Sequence, residues 1–282
     1  MINKTNISLN KPGGRVINTD CFHTVTPGEK HPIVVFSHGF KGFKDWGGFP
    51  YMMQKIAGKG NIAVSFNFSF NGTDKEHPAE FSRLDMFAQN TFSRELDDLQ
   101  TVLDYFYEEA ESFNIDRNKI ALIGHSRGGG ISVIKASEDK RVKALITLSS
   151  VSYFDRYSDE HKKKWKETGY FEVLNTRTNQ MMRLNSTLLE DLEQNKRRLN
   201  IISAVRKLKI PYLIIHGKED LSVRFGEAEK IYKNSNKEIT ELYPVENTGH
   251  TFGTAHPFKG TTKAFETVID KMISFLNGNL YQ

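Results

Sequence analysis

Short, mostly apolar runs alternate along the chain with longer segments in which apolar residues recur every three or four positions. The short runs have the length and composition of buried β-strands. They are residues 33–36, 62–66, 120–123, 144–148, 211–215 and 239–245. The longer segments predict helices at 49–58, within 87–113, at 131–137 and at 264–276. Strands that are apolar on both faces, separated by helices, predict a parallel sheet covered on both sides.

The first 25 residues follow a different pattern. Strand-like residues 7–9 and 16–25 flank the turn-forming run 10–14, which contains Pro12, Gly13 and Gly14. This arrangement predicts an antiparallel hairpin. The parallel sheet that follows this hairpin should be doubly wound, because crossovers between parallel strands are right-handed. The expected fold is therefore α/β, with a mostly parallel, doubly wound sheet and an N-terminal antiparallel hairpin.

Residues 150–209 interrupt the alternation. They are charged and helix-like and show no clear strand pattern over 60 positions, whereas connections in α/β units usually have about 2–6 residues. We predict a helical cap inserted between the fourth and fifth central strands, over the strand ends where such sheets bind ligands. No repeat or low-complexity linker divides the chain, so we expect one domain over 1–282 that contains the cap at 150–209.

Composition narrows the class of protein. The 282 residues are 38% hydrophobic and 26% charged, which excludes a disordered chain. The apolar runs are far shorter than the roughly 18 residues of a membrane helix. Cys21 is the single cysteine, so it cannot form an internal disulfide, and this fits a reducing compartment. Residues 1–6 lack the apolar segment of a signal peptide, although a mature secreted chain would look the same. We expect a cytoplasmic protein without a membrane partner.

The net charge of +5 is concentrated in the insertion. Residues 159–209 hold 12 Lys and Arg against 7 Asp and Glu, and 12 − 7 gives the same +5. Such a charge excess is typical of a solvated helix face, which we favour. A nucleic-acid-binding surface is the less favoured interpretation. A basic rim that attracts anionic substrates remains open.

The run Gly124-His125-Ser126-Arg127-Gly128-Gly129 has the form G-x-S-x-G. It follows the strand at 120–123 and precedes the helix at 131–137, which is the strand–turn–helix context of a nucleophile elbow. The glycines allow the strand and the helix to approach closely. The run lacks the Lys-Ser/Thr ending of a phosphate-binding loop. Ser126 is therefore the predicted nucleophile.

A serine nucleophile needs a base, and the base needs a group that orients it. Asp220 follows the strand at 211–215, and His250 follows the strand at 239–245. Both should lie at the same sheet edge as Ser126, in the order Ser, Asp, His. We predict that His250 accepts the Ser126 proton and that Asp220 holds the imidazole in the required tautomer.

Four other residues have side chains that could take part in chemistry: Glu219, His125, His256 and Cys21. Glu219 adjoins Asp220 but should point elsewhere, and His125 should face away from the substrate. His256 precedes Pro257, and we expect a packing role for it, with a substrate or supporting role as the alternative. The spacing of His250, His256 and Cys21 gives no metal site, so we expect neither a metal nor a cofactor.

An oxyanion intermediate needs two backbone donors. The amide that follows the nucleophile is that of Arg127. The second donor should come from the loop 37–43, directly after the first central strand, where His38-Gly39 precedes Phe40. We choose the amide of Phe40.

From residue 33 onward, these motifs resemble the α/β-hydrolase superfamily. They occur in order: His38-Gly39-Phe40, the elbow around Ser126, His216-Gly217-x-x-Asp220 with Val223, and Gly249-His250. The elbow is similar to that of the dienelactone-hydrolase-like and feruloyl (cinnamoyl) esterase branch, which is itself similar to prolyl oligopeptidase catalytic domains. The resemblance implies an α/β-hydrolase fold, and in some members of this branch a helical insertion. Dienelactone hydrolases proper use cysteine where this chain has Ser126, which argues against that activity.

These inferences favour a serine carboxylesterase that hydrolyses a small or aryl ester through an acyl-enzyme, with a small-molecule ester as its partner. A serine peptidase related to prolyl oligopeptidase is one alternative, although the chain carries no propeller-like repeats. A non-catalytic ligand-binding protein on a hydrolase scaffold is the other. The natural ester, the oligomeric state and the substrate-binding residues stay open. Large cap side chains could line a pocket or pack the cap: Tyr153, Phe154, Trp165, Tyr170, Phe171, Met181 and Met182.

Overall fold

The computed structural model describes residues 1–24 and 28–281, and its elements follow the predicted alternation. The strands are β1 (Ile2–Lys11), β2 (Arg15–Thr24), β3 (His31–Ser37), β4 (Ile62–Phe66), β5 (Ile115–His125), β6 (Val142–Leu148), β7 (Tyr170–Asn175), β8 (Gln180–Asn185), β9 (Tyr212–Gly217) and β10 (Thr240–Val245). The helices are α1 (Phe49–Ala57), α2 (Leu84–Ala88), α3 (Phe92–Glu108), α4 (Arg127–Glu138), α5 (Asp159–Thr168), α6 (Thr187–Gln194), α7 (Ile201–Val205), α8 (Gly226–Asn234) and α9 (Lys263–Leu280).

Eight of the described strands form one sheet in the order β1-β2-β4-β3-β5-β6-β9-β10. The hairpin β1–β2 is antiparallel, and β2 runs antiparallel to β4. All other neighbours in the sheet are parallel. The predicted fold class, with its N-terminal antiparallel hairpin, is therefore confirmed. Val25, the predicted end of the second strand, lies outside the described residues.

Each central strand contributes to two cores because successive side chains point to opposite faces of a sheet. Val35 and Leu122 face the core beneath α3 and α4. Val34 and Ile123 face the core beneath α1 and α9. Both faces are thus covered by helices, which is why these strands are apolar throughout. In the described part of the chain, no helix combines the length and the hydrophobicity needed to cross a bilayer.

The parallel register places the carboxyl ends of the central strands at one edge. Ser37 at the end of β3 is paired with Gly124 of β5, and Leu148 at the end of β6 with Ile215 of β9. The loops that leave these strands therefore start side by side. They carry Phe40, Ser126 and Asp220, and β10, which is parallel to β9, brings the loop with His250 to the same edge.

The predicted all-helical cap is wrong for residues 170–185. There, β7 and β8 form a separate antiparallel hairpin, while α5, α6 and α7 supply the predicted helices. Gly169, with a φ of 78°, ends α5 in the left-handed region that favours glycine. In β8, Met182 and Leu184 are buried whereas Met181 is exposed. The burial alternates with a period of two, but the exposed Met181 is itself apolar, so the sequence shows this alternation only weakly.

The cap is packed onto the body through apolar side chains. Trp165 is 1% exposed and lies 5.0 Å from the Tyr157 ring and 5.4 Å from the Phe171 ring, measured between centroids. Trp165 and Met182 belong to the same apolar cluster as Phe92 of α3. The cap is therefore part of the protein's main core.

Replacing Trp165 with alanine should destabilise the whole protein by about 3–5 kcal/mol, because a large buried side chain leaves a cavity that the shared core cannot close. Met181→Ala, in the same cap but 51% exposed, is the control and should change stability by less than about 1 kcal/mol. Urea denaturation followed by circular dichroism measures both. A loss below 1 kcal/mol for Trp165→Ala would contradict the shared core.

Candidate active site

Ser126 occupies a strained turn between β5 and α4. Its φ of 57° and ψ of −119° are unusual for a residue with a side chain. Its amide donates to the Leu148 carbonyl at 2.9 Å, which ties the turn to β6. At Gly128, a Cβ atom would lie 2.3 Å from the Ser37 carbonyl oxygen, so only glycine allows α4 to pack this closely on β3. The sequence folds here into the predicted nucleophile elbow.

The loop after β3 contacts this turn directly. A Cβ atom on Gly39 would lie 2.8 Å from Cβ of Ser126, so a larger residue would displace the serine. The next residue, Phe40, is half-buried and lines the same cavity as Ser126. The structure thus brings the predicted source of the second oxyanion donor next to the predicted nucleophile.

Asp220 and His250 are joined by a hydrogen bond of 2.7 Å between Oδ2 of the aspartate and Nδ1 of the imidazole. The other carboxylate oxygen of Asp220 accepts from the amides of Ser222 and Val223 at 2.8 and 2.9 Å. Burial alone would raise the pKa of Asp220, but hydrogen bonds from His216 and His250 outweigh it and hold the pKa well below its usual range. A permanent carboxylate therefore sits behind His250.

His250 and Ser126 line one cavity of about 240 Å³ at the sheet edge. Nδ1 of His250 is engaged by Asp220, which leaves Nε2 as the ring nitrogen without that bond. The three residues predicted from separate loops are thus assembled at a single place.

Arg127 contributes more than its backbone. It is the first residue of α4, which starts four residues before the predicted helix, and its side chain is buried. The guanidinium lies over the rings of Phe40 and Phe92, 4.1 and 4.8 Å from their centroids, and pairs with Glu95 at 3.4 Å. Such cation–π contacts are stabilising when desolvated. The side chain that follows Ser126 therefore holds the loop that carries Phe40 in place.

His38 also holds the loop after β3 in place. Its Nδ1 donates to the Gly39 carbonyl at 2.9 Å, and its Nε2 accepts from the amide of Phe68 at 3.3 Å. This pair of contacts requires the neutral imidazole. Burial lowers the pKa of His38 to about 4, although its bond to Gly39 opposes this, and the nearby Arg127 charge lowers it further. In the sequence, His38 was noted only as part of the His38-Gly39-Phe40 motif.

Two further histidines contact the Asp220–His250 pair, His125 at His250 and His216 at Asp220. His125 is one of the residues around the cavity, and its ring lies 4.7 Å from that of His250. That its side chain faces away from a substrate stays a prediction. Its Nε2 lies 2.9 Å from the His250 carbonyl oxygen, and burial together with His250 lowers its pKa to about 3, so the neutral ring donates. His216 is fully buried, with Nε2 at 2.7 Å from the Val223 carbonyl and 3.3 Å from Asp220. In the sequence, its position four residues before Asp220, in the strand β9, was the signal that it could contact that carboxylate.

The rival candidates take other places. Glu219 is exposed. His256 accepts a hydrogen bond from the Gly47 amide at 3.0 Å and packs on Trp46, which is the expected packing role. Burial raises the pKa of the Cys21 thiol to about 12, so it supplies no thiolate. The residues described by the structure include no group of three or more His, Cys, Asp or Glu that could hold a metal ion.

The large cap side chains singled out in the sequence do not line this cavity within the described residues. Trp165, Phe154 and Met182 are buried in the core instead. The cap reaches the cavity through the tip of its hairpin, with Asn175, Thr176 and Arg177. These three polar residues escaped sequence reasoning because the hairpin itself was not predicted.

Solved structures with the same fold cover nearly the whole chain. Est1E from Butyrivibrio proteoclasticus, solved with ferulic acid, superposes with a TM-score of 0.73 at 17% identity over 98% of this chain and 100% of that one. An esterase domain from Rhodothermus marinus gives 0.65 at 16% identity over 99% of each chain. The α/β hydrolase GrgF from Penicillium sp. sh18 gives 0.72 at 15% identity over 99% of this chain and 100% of that one.

The protein is an α/β hydrolase by fold, as the sequence predicted. The BD-FAE family model matches residues 22–234, so the chain belongs to the BD-FAE family. Among curated proteins, the uncharacterized protein YcjY of Escherichia coli (strain K12) is 26% identical over 123 residues. That match covers 44% of this chain and 36% of the relative.

The neutral state of His38 makes stability depend on pH. Its pKa rises from about 4 in the folded protein to about 6.5 when unfolded, so between these values the unfolded chain binds the extra proton. The free energy of unfolding should then fall by up to ~1.4 kcal/mol for each unit of acidification from pH 6.5 to 4 on account of this residue. Urea denaturation from pH 4.5 to 7.5 should give a shallower dependence for His38→Gln. The exposed His77→Gln is the control, and an unchanged slope for His38→Gln would refute the assignment.

Proposed function

We propose that this protein is a serine carboxylesterase with Ser126 as nucleophile, His250 as general base and acid, and Asp220 as the orienting carboxylate. One observation carries the proposal. The Asp220–His250 hydrogen bond of 2.7 Å stands at the same cavity as a serine held in an elbow turn. This is the arrangement that activates a hydroxyl, which is otherwise a weak nucleophile at neutral pH.

In the first half-reaction, Oγ of Ser126 attacks the ester carbonyl carbon while its proton passes to Nε2 of His250. The new C–O bond gives a tetrahedral oxyanion, held by the backbone amides of Phe40 and Arg127. When the intermediate collapses, the bond to the alcohol oxygen breaks. His250 returns the proton to that oxygen, so an alcohol leaves and an acyl-Ser126 ester remains.

In the second half-reaction, water takes the place of the alcohol. His250 accepts one water proton as the oxygen attacks the acyl carbon, and the bond to Oγ of Ser126 then breaks. The proton returns to Ser126, and the carboxylic acid leaves. Throughout, Asp220 stays ionised and stabilises the imidazolium formed in each step, in keeping with its depressed pKa.

The substrate class is a small or aryl ester. The cavity volume of about 240 Å³ lies just below the range of about 300–1,000 Å³ of most ligand pockets. The aromatic side chains of Phe40, Trp46 and Phe49 line it and offer surfaces for an acyl or aryl group. The likeness to Est1E with bound ferulic acid and to an esterase domain agrees with this choice.

Substitution of the three residues tests the mechanism. Ser126→Ala and His250→Ala should each lower kcat for 4-nitrophenyl acetate by at least about 10⁴-fold, because either change removes the activated nucleophile. Asp220→Asn should cause a smaller loss. Initial-rate kinetics and covalent labelling by a fluorophosphonate measure the effects, and Ser126→Ala should abolish labelling while the melting temperature stays near that of the native protein.

Glu219→Gln, at the exposed neighbour of Asp220, is the matched control and should retain activity within about twofold. An active Ser126→Ala protein would refute the mechanism. An inactive His256→Ala beside an active His250→Ala would mean that the base is wrongly assigned. Cleavage of peptide amides but not esters would favour a peptidase, and a native protein that neither labels nor turns over would favour a binding protein.

A further inference from the structure

Two cationic side chains line the cavity that holds Ser126. Lys41 comes from the loop after β3, and Arg177 from the tip of the β7–β8 hairpin. Neither has a carboxylate partner among the described residues. Five other cap cations are paired with carboxylates at 2.6–3.0 Å: Arg156 with Glu227, Lys162 with Asp155, Lys166 with Glu193, Arg183 with Glu172 and Arg198 with Glu138.

The surroundings of the two cations favour an anion. Of the described residues that line the cavity, none is an aspartate or glutamate. Asn175, which also lines the cavity, is 4% exposed, and its Nδ2 has no hydrogen-bond partner among the described residues. A buried amide donor without a partner is unfavourable by about 1–3 kcal/mol. Two cationic residues and one residue with an unpaired buried amide group thus line the same cavity as Ser126, and no aspartate or glutamate of that lining pairs with them.

We propose that the cavity selects esters that carry a carboxylate in addition to the ester group, with Arg177 and Lys41 as the residues that bind it. This inference rests on the proposed esterase function and names its substrate class. A guanidinium presents a planar fork of N–H donors that matches a carboxylate. A carboxylate is also small enough to share a cavity of about 240 Å³ with a reacting ester.

The electrostatics of the site agree with this assignment. Burial lowers the pKa of Lys41, and the charge of Arg177 lowers it further. Loss of hydration lowers the pKa of Arg177 as well. Two like charges that repel each other in a partly desolvated place are both stabilised by one bound anion.

A purely structural role is the competing explanation. Nη2 of Arg177 donates to the Lys41 carbonyl at 3.3 Å, and Nζ of Lys41 donates to the Leu174 carbonyl at 3.2 Å. These two hydrogen bonds hold the β7–β8 hairpin against the loop that carries Phe40. If the two cations only held these segments together, their loss would affect the hydrolysis of neutral and anionic esters to the same degree. The ratio of kcat/KM between matched substrates therefore separates the two roles.

Two substrate pairs place the carboxylate on either side of the ester. Mono-4-nitrophenyl glutarate against 4-nitrophenyl valerate tests the acyl side, and 4-acetoxybenzoate against 4-acetoxybenzamide tests the alcohol side. The native protein should favour the anionic member of at least one pair, and sodium chloride should reduce that preference by screening. Arg177→Gln should lower the anionic-to-neutral ratio by about tenfold, the effect of one charge-assisted hydrogen-bonded contact. Lys41→Gln should lower it less, and Arg177→Lys should restore part of it.

Arg183→Gln is the matched control, because Arg183 lies on the same hairpin, is paired with Glu172 at 3.0 Å and does not line the cavity. Its ratio should equal that of the native protein. Equal ratios in the native protein, Arg177→Gln and Arg183→Gln would overturn the carboxylate site while leaving the esterase intact.

Absence of turnover on every ester would refute the proposed function instead. In that case, isothermal calorimetry with Ser126→Ala still tests the site, since monomethyl glutarate should bind and neutral dimethyl glutarate should not. Equal binding of the two, or binding of neither, would overturn the inference.

Discussion

The backbone at Ser126 is the constraint on which the rest of the site depends. A residue with a side chain at a φ of 57° carries about 1–3 kcal/mol of strain, which persists only where the surroundings over-determine it. Here they do: the Ser126 amide is bonded to Leu148, and Gly128 allows α4 to rest against the end of β3. The contact between Gly39 and Ser126 then sets where the loop after β3 can lie. The geometry of the candidate site follows from packing at three strand ends.

Neutral histidines support that geometry from two sides. His38 holds the loop after β3 through Gly39, and His125 holds the backbone of His250. In both, burial depresses the pKa, so each ring keeps its donor and its acceptor in a fixed place at neutral pH. The ionised Asp220 is thus accompanied by two histidine supports that carry no charge.

The cap joins the body through two chemically different contacts. Trp165 and Met182 enter the main core and anchor the cap by apolar burial. The hairpin tip instead brings Arg177 and Asn175 to the cavity. The basic excess of the insertion is correspondingly divided: several lysines and arginines form surface ion pairs, as expected of a solvated face, and Arg177 alone among the described cap cations lines the Ser126 cavity.

The local pattern of the chain was enough to predict the central strands, the N-terminal hairpin and the elbow around Ser126. Those features arise from burial on both strand faces and from glycines at a tight turn, and both are visible in neighbouring residues. Chain order added Asp220 and His250, because parallel strands deliver their loops to one edge. The hairpin at 170–185 was missed, since its alternation is short and only weakly visible in the sequence. Only the tertiary structure decided which side chains contact each other. Arg127 stacks on Phe40, His125 hydrogen-bonds the backbone of His250, and Arg177 donates to the carbonyl of Lys41, 136 positions away in the sequence. Contacts between distant segments depend on how the cap docks, and no local pattern encodes that.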